Sequence, residues 1–134
     1  HAIEVTGLEE FRNRELSQLS GGQRQRVFIA MALAQNTKIL FLDEPTTYLD
    51  IRYQLDILRL VKKLNREYGI TIVMVLHEIN QAIHFSDEVI GLKDGKVLVQ
   101  GDPKDVITTE SISELYDVHL NVADIDGQKF VLTV

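Results

Sequence analysis

Two apolar runs constrain this chain more than any other feature. The first is Ile39-Leu40-Phe41-Leu42, and the second covers residues 70–76 and is broken only by Thr71. Runs this short, without regular polar alternation, read as strands buried on both faces. The stretch between them reads as a helix. Asp50 stands at its N-cap, Leu55, Leu58, Val61 and Leu64 form one stripe, and Lys62, Lys63 and Arg66 complement its dipole before Gly69 ends it. Buried strands alternating with helices predict an α/β fold with a mostly parallel sheet and helices on both faces.

The flanking sequence extends this pattern. Thr6 and Glu9 form a T-x-x-E capping box ahead of a short surface helix over residues 8–14. Residues 27–34 are apolar on nearly every side, which predicts a buried helix. A helix is expected over residues 78–85, then two strands, 88–92 and 96–100, joined at Lys93-Asp94-Gly95. Pro103 opens short helices that run to about Tyr116, and residues 121–125 and 128–134 form a terminal hairpin across Asp126-Gly127. There is no internal repeat.

Composition narrows the function classes. A net charge of −6 over 134 residues argues against a general nucleic-acid binder or a polybasic membrane anchor. With no cysteine, disulfides, thiolate metal sites and cysteine nucleophiles are excluded. No apolar run approaches the roughly 18 residues of a membrane span, so this chain is not expected to cross a bilayer.

The chemistry gathers at three places. In Leu19-Ser20-Gly21-Gly22-Gln23, Ser20 and Gln23 could simply cap a helix, but two glycines in the first turn weaken it by up to about 1 kcal/mol each relative to alanine. A helix start stripped of side chains also lets an anion reach the free N–H groups, and position alone leaves both readings open. Asp43 and Glu44 end the first apolar strand, where ligands bind in open α/β sheets, and neighbouring strand side chains point opposite ways. Two separate roles suit such a pair, although solvated carboxylates before a turn at Pro45 are the plainer alternative. His77 ends the second apolar strand and is expected on the same edge. It is either a strand-end hydrogen-bonding group or a catalytic one.

LSGGQ resembles the signature motif of ABC-type ATPases. In the family's order, residues 39–44 look like its Walker B strand, Thr47-Tyr48-Leu49-Asp50 like its D-loop and His77 like its switch histidine. The resemblance covers nearly the whole chain. It implies a P-loop NTPase-type α/β fold and ATP with Mg²⁺ as the cofactors. Asp43 would hold Mg²⁺ through water, Glu44 would deprotonate the attacking water, and His77 would contact the γ-phosphate. Ser20, Gly21, Gly22 and Gln23 would bind a nucleotide held by a second copy of the subunit. Asp50 would lie at the dimer interface, which its N-cap position also permits.

The Walker A sequence G-x-x-x-x-G-K-[ST] and the following glutamine loop are not in the chain. By resemblance it is therefore the carboxyl half of one ATPase domain. Residues 1–36 would end the helical subdomain, 37–100 would run from Walker B through the switch histidine, and 101–134 would form the C-terminal helices and hairpin. Alone it would not hydrolyse ATP. The family's Walker A strand lies between the strand ending at His77 and the one beginning near Glu88, so two sheet edges would be left unpaired.

Val75-Leu76-His77-Glu78-Ile79-Asn80-Gln81-Ala82 and Leu115-Tyr116 resemble the subset that imports iron–siderophore complexes, haem or cobalamin, although that subset usually carries Asp at position 78. This implies transmembrane permease partners, no nucleic acid, and a peripheral place on the cytoplasmic face of the inner (plasma) membrane. The alternatives are a non-transport ABC ATPase of DNA repair or translation, and a non-enzymatic interaction module.

Overall fold

The computed structural model describes residues 2–9 and 21–133. The chain separates into two compact units, His1–His77 and Glu78–Val134.

In the first unit, α1 (Ala2–Val5) precedes α2 (Gly21–Ala34), β1 (Ile39–Asp43), α3 (Ile51–Tyr68) and β2 (Thr71–Val75). The strands pair in parallel, Ile39 opposite Thr71 and Asp43 opposite Val75. The core lies on one side of this pair, where Ile57, Leu60, Val61 and Leu64 of α3 and Ile29 of α2 meet Leu42, with Leu40, Ile72 and Met74 packed against them. Gly69 follows α3 with a left-handed backbone (φ 66), as its placement after the last turn predicts.

Three expectations need correction here. Thr6 does not open a helix: its hydroxyl donates backward to the carbonyls of Ala2 (2.8 Å) and Ile3 (3.2 Å), closing α1. The rest of the helix expected over residues 8–14 lies, from residue 10 onward, outside the described residues. Helix α2 is not buried all round, because Phe28 and Met31 are about half exposed. Among the described elements α1 and α3 pack against it, and they cover the Ile29 side. Lastly, the β1–β2 pair is covered on one face. Side chains alternate along each strand, and Ile39, Phe41, Val73 and Val75 stand exposed opposite the helical layer.

The second unit runs α4 (Ile79–Phe85), β3 (Val89–Lys93), β4 (Lys96–Gly101), α5 (Pro103–Val106), α6 (Thr109–Tyr116), β5 (Asn121–Ile125) and β6 (Gln128–Leu132). Two antiparallel hairpins, β3–β4 and β5–β6, turn at Asp94-Gly95 and Asp126-Gly127, and all four of these residues have positive φ. That is the type I′ geometry whose twist matches the strands, and it explains why the sequence carries Asp-Gly at both places. Thr108 and Ser111 form a reciprocal capping box on α6. Ile83, Ile107, Ile112 and Val131 make this unit's core. Each described sheet has two strands, so β2 and β3 each have one edge without a strand partner among the described residues.

Candidate functional site

Because β1 and β2 run parallel, their carboxyl ends share one edge, the edge at which α/β sheets bind ligands. Asp43 closes β1 and keeps the strand's alternation, so it stands exposed while Leu42 is buried. Glu44 leaves the strand with φ 51, in the left-handed region, while its N–H still donates to the carbonyl of Val75 at 2.9 Å. The turn that follows is closed by hydrogen bonds from Thr47 N–H to the Glu44 carbonyl (3.2 Å) and from Leu49 N–H to the Thr46 carbonyl (3.3 Å).

His77 lies two residues beyond β2, and its Nε2 is 2.5 Å from Oε1 of Glu44. A carboxylate only accepts hydrogen bonds, so the imidazole donates through Nε2. Glu44 is half-buried, whereas the His77 side chain is 75% exposed, so little packing holds the ring in place. The result is a carboxylate oriented by a hydrogen-bonded imidazole and open to solvent. Such an arrangement can accept a proton from a water molecule while the ring steadies the carboxylate.

The remaining predicted positions are placed as follows. Gly21 and Gly22 form the first turn of α2, so a helix N-terminus does follow the Ser20 position, and Gln23 is half-buried. Ser20 itself lies outside the described residues. Asp50 occupies the N-cap of α3, but its carboxylate makes no capping bond and is exposed; the backbone carbonyl, not the side chain, accepts from Gln54 N–H at 2.9 Å. The helix-capping role read from the sequence is thus absent, and the side chain is available to the surface. Arg26 donates from Nη1 to the Thr6 carbonyl at 2.7 Å and ties α2 to the end of α1.

Two features here were not read from the sequence. Tyr48, fully exposed with φ 65, projects from the turn between Glu44 and Asp50. Asn80 binds the backbone of a residue 51 positions away. An asparagine in the first turn of a helix, where its propensity is poor, was the available signal for the second.

The family described as ABC transporter matches residues 1–47. The petrobactin import ATP-binding protein FpuC of Bacillus anthracis is 50% identical over 121 residues, covering 90% of this chain and 44% of that protein. The ferric enterobactin transport ATP-binding protein FepC of Escherichia coli K12 is 46% identical over 123 residues, covering 92% of this chain and 45% of that protein. The chain matches part of an ABC transporter ATP-binding domain. Among solved structures, an inward-facing ABC transporter assigned to the metal-chelate type superposes with a TM-score of 0.86 at 30% identity, over 97% of this chain and 52% of that one. A dimeric ATP-binding cassette in a post-hydrolysis state with ADP and Pi gives 0.65 at 46% identity, over 76% of this chain and 44% of that one. As part of such a domain the chain has the P-loop NTPase type of α/β fold. It spans less than half the length of these curated relatives.

Proposed function

We propose that this chain is the carboxyl part, from the signature onward, of the ATP-binding and ATP-hydrolysing subunit of an ABC transporter that imports an iron chelate, haem or cobalamin. The observation that carries the reading is the contact of His77 with Glu44 at the carboxyl edge of a parallel strand pair. The relatives named for petrobactin import and ferric enterobactin transport favour transport over DNA repair or translation, and iron chelates over other cargo. No helix among the described residues is long and apolar enough to cross a membrane, which suits a subunit that works beside separate permease subunits on the cytoplasmic face. Residues 1–36, 37–100 and 101–134 are then successive parts of one domain: the end of the helical subdomain, the catalytic core and the C-terminal helices and hairpin.

In this reading Glu44 is the general base for the water that attacks the γ-phosphate, and His77 holds that carboxylate and contacts the phosphate. The exposed carboxylate of Asp43, a hard oxygen donor on the neighbouring residue, suits Mg²⁺ held through water. No group of three or more His, Cys, Asp or Glu able to hold a metal lies among the described residues, and Mg²⁺ at nucleotide sites is bound by one or two carboxylates plus phosphates rather than by an all-protein cage. When bound, the ion supplies charge neutralisation of the β- and γ-phosphates. Ser20, together with Gly21, Gly22 and Gln23 at the start of α2, would meet a nucleotide held by a second copy, and Asp50 would lie at that interface. This chain alone, without the glycine loop and its lysine, does not turn over ATP.

The test is Glu44→Gln in the full-length subunit. Loss of a positioned general base costs roughly 10² to 10⁴-fold in turnover. The variant should bind ATP with unchanged affinity and hydrolyse it slower by that factor. Unchanged turnover would remove Glu44 from the mechanism.

A further inference from the structure

We infer that Gln54 is a positioning residue for Glu44, fixing the turn that follows the carboxylate by donating to the Leu49 carbonyl. The inference rests on the proposed role of Glu44 as general base.

Every residue involved lies in the first unit. Main-chain bonds hold Glu44 on two sides: its N–H donates to the Val75 carbonyl at 2.9 Å, and its carbonyl accepts from Thr47 N–H at 3.2 Å. The first bond anchors it to β2, but the second is only as firm as the turn that carries Thr47. Glu44 (φ 51) opens that turn and Tyr48 (φ 65) lies inside it, both in the left-handed region. Such a backbone persists only where its surroundings over-determine it. Tyr48 is fully exposed, so packing does not hold it. The constraint comes from the next residue. Leu49 N–H donates back to the Thr46 carbonyl at 3.3 Å, and the Leu49 carbonyl accepts from Nε2 of Gln54 at 2.8 Å.

Gln54 thus grips two consecutive carbonyls at the start of α3. Its N–H donates to the Asp50 carbonyl at 2.9 Å in the helical pattern, and its side chain reaches one residue further back, to a carbonyl outside the helix's own ladder. The Asp50 carboxylate makes no capping bond, so the N-cap side chain does not fix the joint between turn and helix, and the Gln54 amide does. Helix α3 is a firm base for this grip, because Ile57, Leu60 and Val61 on its following turns belong to the unit's core. With the amide removed, Leu49 loses this tie to α3 and Tyr48 can relax out of its left-handed conformation. The Thr47 bond that sets the Glu44 carbonyl then loosens with the turn. Misplacing a catalytic group by about 1 Å can cost on the order of 10²-fold, and the loss falls on the chemical step rather than on binding.

The experiment measures ATPase kinetics of the full-length protein for Gln54→Ala, Gln54→Glu, Glu44→Gln and the double variants that combine Glu44→Gln with each Gln54 change. Gln54→Ala should lower kcat by about tenfold or more while KM for ATP stays within about twofold. Gln54→Glu keeps the length of the side chain but, when ionised, only accepts hydrogen bonds, so it meets the Leu49 carbonyl without a donor and should lose at least as much. It also carries the test if the alanine variant does not fold. In the Glu44→Gln background, either Gln54 change should add less than about twofold, because the base it positions is already gone. The same fractional loss in both backgrounds means that Gln54 acts on the fold or on another group, and overturns the inference, as does an unchanged kcat for both single Gln54 variants. An unaltered rate for Glu44→Gln overturns it differently, by removing the catalytic role on which it rests.

Discussion

Glu44 is aimed by its own backbone. The left-handed turn at φ 51 breaks the strand alternation that Asp43 still obeys, and it brings the Glu44 carboxylate to His77. A left-handed backbone costs a non-glycine residue about 1 to 2 kcal/mol, and it persists here because the Val75 and Thr47 hydrogen bonds hold the turn on both sides. The residue types at this site were legible in the sequence, since apolar strands ending in Asp-Glu and in His mark one edge. The conformation of Glu44 was not, because glutamate carries no local preference for that region. Tyr116 offers a test at the same scale. Burial first, and the Glu78 charge second, raise its phenol above the ordinary value of 10.0. The folded chain therefore keeps that proton to higher pH than the unfolded chain does, so stability is unaffected below the unfolded value and declines as pH rises above it. Urea midpoints at pH 8 and pH 11 should fall further for the wild type than for Tyr116→Phe. Equal falls would show that the phenol is not held in its neutral form.

Among the elements, those with a single strong period were readable and those that depend on their neighbours were not. Of the predicted α3 stripe, Leu58, Val61 and Leu64 are buried and Leu55 is only half-buried, while Ile57 and Leu60 widen it. The all-round apolar character of α2 predicted burial that its described neighbours do not provide, because periodicity records what a helix could bury and not how many partners surround it. Close approach across a sheet is equally invisible to it. In β3, Gly91 sits where the register with β4 shifts, and a Cβ there would lie 2.5 Å from Cγ2 of Val99 and 3.2 Å from Cδ2 of Leu115. Valine has one stiff torsion and cannot fold out of the way, so Gly91→Ala should destabilise by about 1 to 3 kcal/mol in denaturant unfolding. A neutral Gly91→Ala would show that the hairpin and α6 are less closely packed than they stand here.

At the scale of the whole molecule, the alternation of strand and helix was enough to give an α/β fold. The sheet's covering was misread, since buried-looking strands imply two helical layers and the described residues supply one. The exposed Ile39, Phe41, Val73 and Val75 are the physical trace of that difference. In the proposed function the chemistry is divided between subunits: Glu44 and His77 would serve the nucleotide bound by their own subunit, and the signature would serve the nucleotide bound by the other. Two inactive full-length variants test that division when mixed. One carries Ser20→Arg with its Walker A intact; the other keeps its signature and lacks the Walker A lysine. Their heterodimer holds one ruined site and one complete site, so mixing should restore ATP hydrolysis, and the restored rate should rise with protein concentration as subunits exchange. If heterodimer forms and no activity returns, the signature does not act on the partner's nucleotide and the composite site is wrong.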